Sequence, residues 1–317
     1  MLKKAQGIEI LSTEASSYLA AELAAQLGAN HRHTVRRLFS NGERYYKIDI
    51  EDTKELSGKD VVFVGATHTD DDLLELYRVG SSLADLGTRR RIFVIPYFGY
   101  STMERADKAG EVVTAKTNAR LLSTIPNTNL GNVFLFLDLH KRGLLHYFEG
   151  DSLAVELSAE NLFIAAIKKL KLGKFMMASA DLGTPGRIQS LANHFNTDIA
   201  FVRKTRDFEK TNVVAVIGDV KGHDVVIYDD MVRSGSSLIQ AAEAYKAQGA
   251  KWIFAVTSHL ALNNEGVIQT LKDSPIEKFI TTNSHPMSQV AAVRNDKRFL
   301  VLDSASLFSY SISTSFA

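Results

Sequence analysis

Short apolar runs rich in β-branched residues alternate with helix-like segments along the chain. "DVVFVGA" (60–66) leads into "DDLLELYRVGSSLADLG" (71–87), whose apolar residues recur at spacings of three and four and so predict an amphipathic helix. Other runs, such as "NVFLFLDLH" (132–140) and "DVVIYDD" (224–230), are apolar on both faces of the expected strand. Strands of this kind are typical of parallel sheets covered by helices on both sides, which predicts an α/β fold.

The two halves of the chain echo each other. Residues 58–98 and 222–260 both start Gly-x-Asp-Val-Val and pass through a polar turn and a helix to another strand. Any βαβ unit shares part of this pattern, but the common start favours two related domains, and 317 residues suffice for both. We expect an N-terminal domain over 1–150 and a C-terminal domain over 151–302, with 303–317 packing back on the first.

Composition excludes several classes of protein. The chain has 37 basic and 36 acidic residues, a net charge of +1, which argues against a nucleic-acid partner. It has no cysteine, so disulfides and thiolate metal sites are excluded. The N-terminal stretch lacks the pattern of a secretory signal, and no apolar run approaches the ~20 residues that span a bilayer. We expect a cytoplasmic protein with no membrane partner.

Two adjacent carboxylates precede a loop of small residues in "VVIYDDMVRSGSSL" (225–238). Asp229 and Asp230 end an apolar run, and ligands of open parallel sheets bind beyond the carboxyl ends of strands. The small residues of the loop 233–237 let backbone N–H groups converge on an anion at the start of the next helix. Carboxylates accept hydrogen bonds from sugar hydroxyls, so the pattern favours a sugar phosphate. The alternative is an acidic turn in which a serine caps the helix.

The same residues resemble the binding signature for phosphoribosyl pyrophosphate (PRPP), which phosphoribosyltransferases and PRPP synthetases both carry. Five further stretches are similar to the synthetases: "RLFSNGERYYKI" (37–48), "IPYFGYSTMERADKAGEVVTAKTNARLL" (95–122), "LDLHKRGLLHYFEGD" (137–151), "SADLGTPGR" (179–187) and "VRKTR" (202–206). Simple transferases have no counterpart of the first three. The chain therefore resembles the PRPP synthetase, or ribose-phosphate diphosphokinase, family. The resemblance implies two tandem, related domains of the type I phosphoribosyltransferase fold, each a mainly parallel sheet flanked by helices.

The subtype that the sequence resembles most is the plant-type, class II synthetase. Residues 101–129 look like the corresponding class II segment, and "HYFEGD" (146–151) does so as well. This resemblance implies an enzyme that phosphate does not activate. Thr102 and Met103 replace an Arg-Gln pair that touches the nucleotide in class I enzymes, and Asn41 replaces the usual Asp. These departures imply a looser preference for the diphosphoryl donor.

The family reaction transfers the diphosphoryl group of ATP to the anomeric hydroxyl of ribose 5-phosphate, giving PRPP and AMP, with Mg²⁺ as cofactor. The resemblance implies catalytic roles for Lys204 and Arg206. It implies ATP binding by Phe39, Asn41, Glu43 and Arg105. It implies ribose 5-phosphate binding by Asp229, Asp230, Arg233, Ser234, Gly235, Ser236 and Ser237, and metal binding by His140 and Asp181. It also implies a homo-oligomer whose ATP site lies at a subunit interface.

Two alternatives compete with an active synthetase. A catalytically silent, synthetase-like regulatory subunit would typically lose catalytic-loop residues, whereas Lys204, Arg206, His140 and Asp181 are all retained. A PRPP-consuming transferase is disfavoured because the segment 37–48 has no place in one. Without the resemblance, the charged run around Lys204 would be interpreted as a solvated turn.

Overall fold

The computed structural model describes residues 7–128, 130–180, 185–207 and 210–315, with side chains described except at 185, 204–214 and 315. The chain divides into two compact units, Met1–Ser158 with Ser304–Ala317, and Ala159–Asp303. Each unit contains a sheet flanked by helices, and the parallel pairing confirms the predicted α/β fold.

The strands follow the expected alternation with helices. They are β1 (Ile8–Ser12), β2 (Asn30–His31), β3 (Thr34–Leu38), β4 (Arg44–Ile48), β5 (Asp60–Val64), β6 (Arg90–Ile95), β7 (Asn132–Leu137), β8 (Leu153–Leu157), β9 (Phe175–Ser179), β10 (Ile199–Asp207), β11 (Lys210–Ile217), β12 (Asp224–Val232), β13 (Ile253–Leu260), β14 (Lys278–Thr282) and β15 (Phe299–Leu302). The α-helices are α1 (Ser17–Leu27), α2 (Asp70–Asp85), α3 (Thr114–Ser123), α4 (Glu160–Lys169), α5 (Pro185–Phe195), α6 (Ser236–Ala247), α7 (Gly266–Lys272), α8 (Ala291–Arg294) and α9 (Ala305–Ser315).

The first unit is built on a parallel sheet with the strand order β2-β1-β5-β6-β7-β8. Strand β8 follows the expected boundary at residue 150, yet it pairs in parallel with β7 and therefore belongs to this sheet. A separate antiparallel hairpin, β3–β4, is formed by residues 34–48. Helix α9 packs against α1, and Ser309 Oγ donates to Gln26 Oε1 across that contact at 2.7 Å.

Helix α2 illustrates how the sequence specifies the packing of this unit. The Thr69 side chain accepts a hydrogen bond from the amide of Asp72 at 3.1 Å, and acidic residues fill the first turn, where the helix dipole favours negative charge. Gly80 lets the helix approach the sheet, since a Cβ there would lie 2.6 Å from the ring of Phe93. The helix is therefore held close over the aromatic core, in which Phe93 stacks on Phe134 at 4.9 Å.

The second unit is built on a sheet with the order β11-β10-β9-β12-β13-β14-β15. All neighbouring pairs are parallel except β10 and β11, which form an antiparallel arm with a register shift between Arg203 and Lys204. The chain first adds β10 beside β9 and then continues on the other side of β9 with β12. The strand order therefore reverses at β9 and β12, the position at which open α/β sheets form a ligand crevice.

In the part of the chain that the structure describes, no helix is long and apolar enough to cross a membrane.

Candidate functional site

The paired aspartates lie within β12 rather than after it. The sequence pattern predicted that the strand ends at Asp230, but β12 continues to Val232 because Met231 and Val232 pair with His259 and Leu260 of β13. Asp230 is buried and Asp229 is half-buried, and neighbouring residues of a strand face opposite sides of the sheet. The two carboxylates are therefore presented differently, although they are adjacent in sequence.

The loop after β12 turns directly into helix α6. Its polar residues Arg233, Ser234, Ser236 and Ser237 are exposed, whereas Gly235 between them is buried. Gly235 has φ +76° and occupies the N-cap position, and the hydroxyl of Ser234 just before it accepts a hydrogen bond from the amide of Ser236 at 3.4 Å. The backbone of the loop is tied to the segment after β13, since the amide of Asn263 donates to the carbonyl of Arg233 at 3.2 Å.

This loop has the geometry of an anion site. The hydroxyls of Ser234 and Ser236 lie 3.1 Å apart, and the first amides of α6 have no partner within the helix by the nature of a helix start. A phosphate at this point would meet exposed hydroxyls, backbone N–H groups and the positive end of the helix dipole. The loop is thus suited to the phosphate of a sugar phosphate.

The two residues with an expected catalytic role lie on β10. Lys204 pairs with Val213 and Arg206 with Thr211 in the antiparallel arm, so both residues lie in a paired strand. Strand β10 is separated from β12 by β9 alone. Asp181, expected to bind metal, lies outside the described residues.

In the first unit, three expected nucleotide-binding residues share the turn that joins β3 to β4. The amide of Phe39 donates to the carbonyl of Glu43 at 2.9 Å, and the amide of Glu43 donates to Asn41 Oδ1 at 3.1 Å. The ring of Phe39 is about half exposed and meets Tyr45 edge-on at 6.3 Å. The turn therefore presents an aromatic face beside polar groups, which suits a purine base.

Arg105 lies elsewhere in this unit, in the loop after β6. Its side chain is exposed, and its Nε is 2.8 Å from Asp107 Oδ1; this hydrogen bond raises the pKa of Arg105 above the usual value. Tyr147 OH donates to the carbonyl of Glu104 at 2.6 Å and so ties this loop to the segment after β7. The structure thus ties the loop of Arg105 to the segment around Tyr147 rather than to the turn of Phe39.

His140 follows β7, and Asp138, two residues before it, is buried with φ +41°. Among the described residues, no group of three or more His, Asp or Glu side chains is arranged to hold a metal ion. A Mg²⁺ ion takes mostly oxygen ligands and, in phosphate-binding sites, receives many of them from the substrate and water. A sparse site with one imidazole therefore fits Mg²⁺ only together with substrate phosphates.

Reasoning from the sequence missed an ion pair that supports the turn. Arg36 of β3 contacts Glu75 of α2, with 2.7 Å between Nε and Oε1. The signal was present, because Glu75 lies one helical turn before Val79 and shares the apolar face of α2. A carboxylate on an apolar stripe indicates a buried partner.

The fold and the loop define an α/β protein with two sheet-containing units and a candidate anion-binding loop at the start of α6. Residues 8–125 match the family described as the N-terminal domain of ribose phosphate pyrophosphokinase, and 185–315 match the phosphoribosyl synthetase-associated domain. Ribose-phosphate pyrophosphokinase of Bradyrhizobium diazoefficiens is 31% identical over 288 residues, 90% of this chain and 87% of the relative. The Burkholderia pseudomallei protein of the same name is 30% identical, covering 89% and 86%.

A solved structure agrees with this relationship. The phosphoribosylpyrophosphate synthetase of Mycobacterium smegmatis superposes with a TM-score of 0.85 at 22% identity, covering 98% of this chain and 99% of that chain. This likeness shows the shared fold. The identity and coverage of the relatives show that the chain belongs to the ribose-phosphate pyrophosphokinase family.

Proposed function

We propose that this chain is an active ribose-phosphate diphosphokinase, which transfers the diphosphoryl group of ATP to the anomeric hydroxyl of ribose 5-phosphate. The observation that carries the proposal is the loop 233–237 at the start of α6, directly after Asp229 and Asp230, where the strand order of the sheet reverses. Family membership supports the reaction, because the relatives are named for it.

The ribose 5-phosphate would bind with its phosphate on the loop and its hydroxyls on the carboxylates. Backbone N–H groups and the hydroxyls of Ser234, Ser236 and Ser237 would surround the phosphate, and Gly235 would keep the turn open. Asp229 and Asp230 would accept hydrogen bonds from the ribose. These contacts would fix the anomeric oxygen, and fixing the nucleophile is a large part of catalysis in phosphoryl transfer.

In the chemical step, the anomeric oxygen bonds to the β-phosphorus of ATP. The bond between that phosphorus and the oxygen bridging to the α-phosphate breaks, AMP leaves with the electron pair, and the hydroxyl proton passes to water. Lys204 and Arg206 would bring two cations to the diphosphoryl group, where negative charge is greatest. Phe39, Asn41, Glu43 and Arg105 would hold the nucleotide.

The cofactor in this proposal is Mg²⁺, held by His140 and Asp181 together with phosphate oxygens. It would neutralise phosphate charge when bound. The subtype proposed is class II, from the resemblance at 101–129, with activity that needs no added phosphate. The assembly proposed is a homo-oligomer, and the exposed apolar residues Leu38, Phe39 and Tyr45 on one hairpin support a partner surface there.

The test is synthesis of PRPP from ribose 5-phosphate and Mg²⁺ with ATP, GTP, CTP or UTP, each with and without phosphate. PRPP and the nucleoside monophosphate are measured by mass spectrometry. Lys204→Ala is expected to abolish synthesis, while Arg203→Ala, an exposed cation one residue away on the same strand, is expected to retain it. Synthesis only with added phosphate would overturn the class II assignment. Binding of ribose 5-phosphate without any synthesis would favour the silent-subunit alternative.

A further inference from the structure

One side chain of the hairpin β3–β4 has several partners in the rest of its unit. Arg36 Nε lies 2.7 Å from Glu75 Oε1, its Nη1 donates to the carbonyl of Thr34 at 2.7 Å, and its Nη2 donates to the carbonyl of Ser12 at 2.6 Å. One guanidinium therefore joins three elements: its own hairpin, the end of β1 and helix α2. Only arginine has enough fixed donors to make these contacts together.

The contact is well shielded from water. Glu75 is 6% exposed and the Arg36 side chain 18% exposed. Burial raises the pKa of Glu75, the hydrogen bond from Arg36 opposes that rise, and the charges of Asp72 and Glu14 add to it. A shielded pair of this kind fixes the position of β3 relative to α2, because loss of one partner would leave the other charge buried without a counter-charge.

An open groove of 480 Å³ runs beside the second strand of the hairpin and α2, and it is lined by Tyr46, Ile48, Val79 and Leu86, among others. The other ion pair between the hairpin and α2, Arg44 with Asp71, is exposed. Ile48 and Tyr46 pack the hairpin against the apolar core of the unit, and the shielded pair adds a directional contact that sets the angle of β3.

We propose that Arg36 and Glu75 are positioning residues that set the direction of the turn 39–43 and thereby the affinity for the nucleotide donor. They act through the hairpin and do not touch the nucleotide. This inference rests on the proposed function, since it assigns the turn to the nucleotide's base. Arg36 lies only three residues before Phe39, so a change in the direction of β3 at Arg36 displaces the ring of Phe39 directly.

The test compares Arg36→Ala with Arg44→Ala, which removes the exposed ion pair from the same hairpin. Initial rates of PRPP synthesis give KM separately for ATP and for ribose 5-phosphate. We expect Arg36→Ala to raise KM for ATP by about tenfold to a hundredfold, the cost of a misplaced binding group, with KM for ribose 5-phosphate unchanged. Arg44→Ala is expected to leave both constants unchanged. Hydrogen exchange of the backbone amides of 34–48 is expected to increase in Arg36→Ala alone.

Arg36→Lys keeps the charge beside Glu75 but loses the fixed fork of donors, so its KM for ATP is expected between wild type and Arg36→Ala. It also serves as the second variant if Arg36→Ala does not fold. Equal rises in both KM values, or equal effects of Arg36→Ala and Arg44→Ala, would overturn the inference. A wild-type protein that forms no PRPP would overturn the proposed function instead, and hydrogen exchange would still test the attachment of the hairpin.

Discussion

The hydroxyl of Tyr245 lies 2.8 Å from the carbonyl oxygen of Ser179, at the end of β9, and 3.2 Å from that of Ala200 in β10. Tyr245 is fully buried in α6, the helix that starts at the proposed phosphate loop, and burial raises the pKa of its phenol. One hydroxyl thus fastens the loop's helix to the two strands that lead to Asp181 and Lys204.

Tyr245→Phe removes this hydroxyl, so that two buried carbonyl oxygens lose their hydrogen-bond donor. We expect a loss of about 1–2 kcal/mol in the free energy of unfolding, the range for a buried hydrogen bond. Urea unfolding followed by circular dichroism measures it. Tyr310→Phe is the control, since Tyr310 is 65% exposed, and equal losses in both variants would contradict the assignment.

Gly235→Ala tests the loop itself. An alanine Cβ would be strained at φ +76° and would lie 3.0 Å from Leu271 Cδ2, so the side chain of Leu271 would also have to give way. The left-handed backbone costs an L-residue about 1–2 kcal/mol in stability. We also expect the Kd for ribose 5-phosphate to rise by about tenfold or more, equivalent to at least about 1.4 kcal/mol, measured by calorimetry.

Gly222→Ala is the matched control for that variant. Gly222 has φ +73°, but a Cβ there would have no atom within 4 Å. The same backbone strain should therefore lower stability without changing ribose 5-phosphate binding. An equal loss of binding in both variants would mean that strain alone, rather than the phosphate loop, is responsible.

The wild-type protein should lose stability relative to the Glu75→Gln variant as the pH rises. Burial raises the pKa of Glu75 in the folded state. The stabilising contribution of its protonation is full below the unfolded-state pKa of about 4.3 and is lost as the pH rises through the folded-state pKa. The difference in unfolding free energy, wild type minus variant, is expected to decrease from about pH 4 upward. A difference that is flat or increasing would contradict this assignment.

Glu9 should show the opposite trend. Burial alone would raise the pKa of Glu9, but hydrogen bonds from Arg32, Lys59 and Asn30 together lower it. Its contribution is present above the unfolded-state pKa and is lost as the pH falls through the folded-state pKa. The free energy of unfolding of the wild type minus that of Glu9→Gln is expected to decrease as the pH falls, and the same urea unfolding experiment measures it. Each variant thus serves as a control for the other, because a non-specific effect of acid on stability would change both free-energy differences in the same direction.

Much of the fold follows from local pattern, because a strand apolar on both faces and a helix with one apolar stripe differ in period. The alternation along the chain and the helix α2 were predicted in this way. The extension of β12 to Val232 was missed, since it depends on pairing with β13. The paired arm at Lys204 was missed for the same reason.

The site was predictable only in part. Its loop has a recognisable sequence, but the order of the strands decides that β10 and β12 flank β9, and strand order is a property of the whole sheet. The Arg36–Glu75 pair joins residues 39 positions apart in the sequence. Which arginine meets a buried carboxylate is determined by the folded backbone, so a single sequence indicates the carboxylate but leaves its partner open.

Helix α9 has a consequence for how the protein is made. The first unit includes this helix, which packs on α1, although the whole of the second unit, Ala159–Asp303, is synthesised between them. During synthesis on the ribosome, the second unit is completed before the last helix of the first unit is made. Until then, the surface of α1 that α9 covers is exposed. Vectorial synthesis therefore favours completion of the second unit before the first.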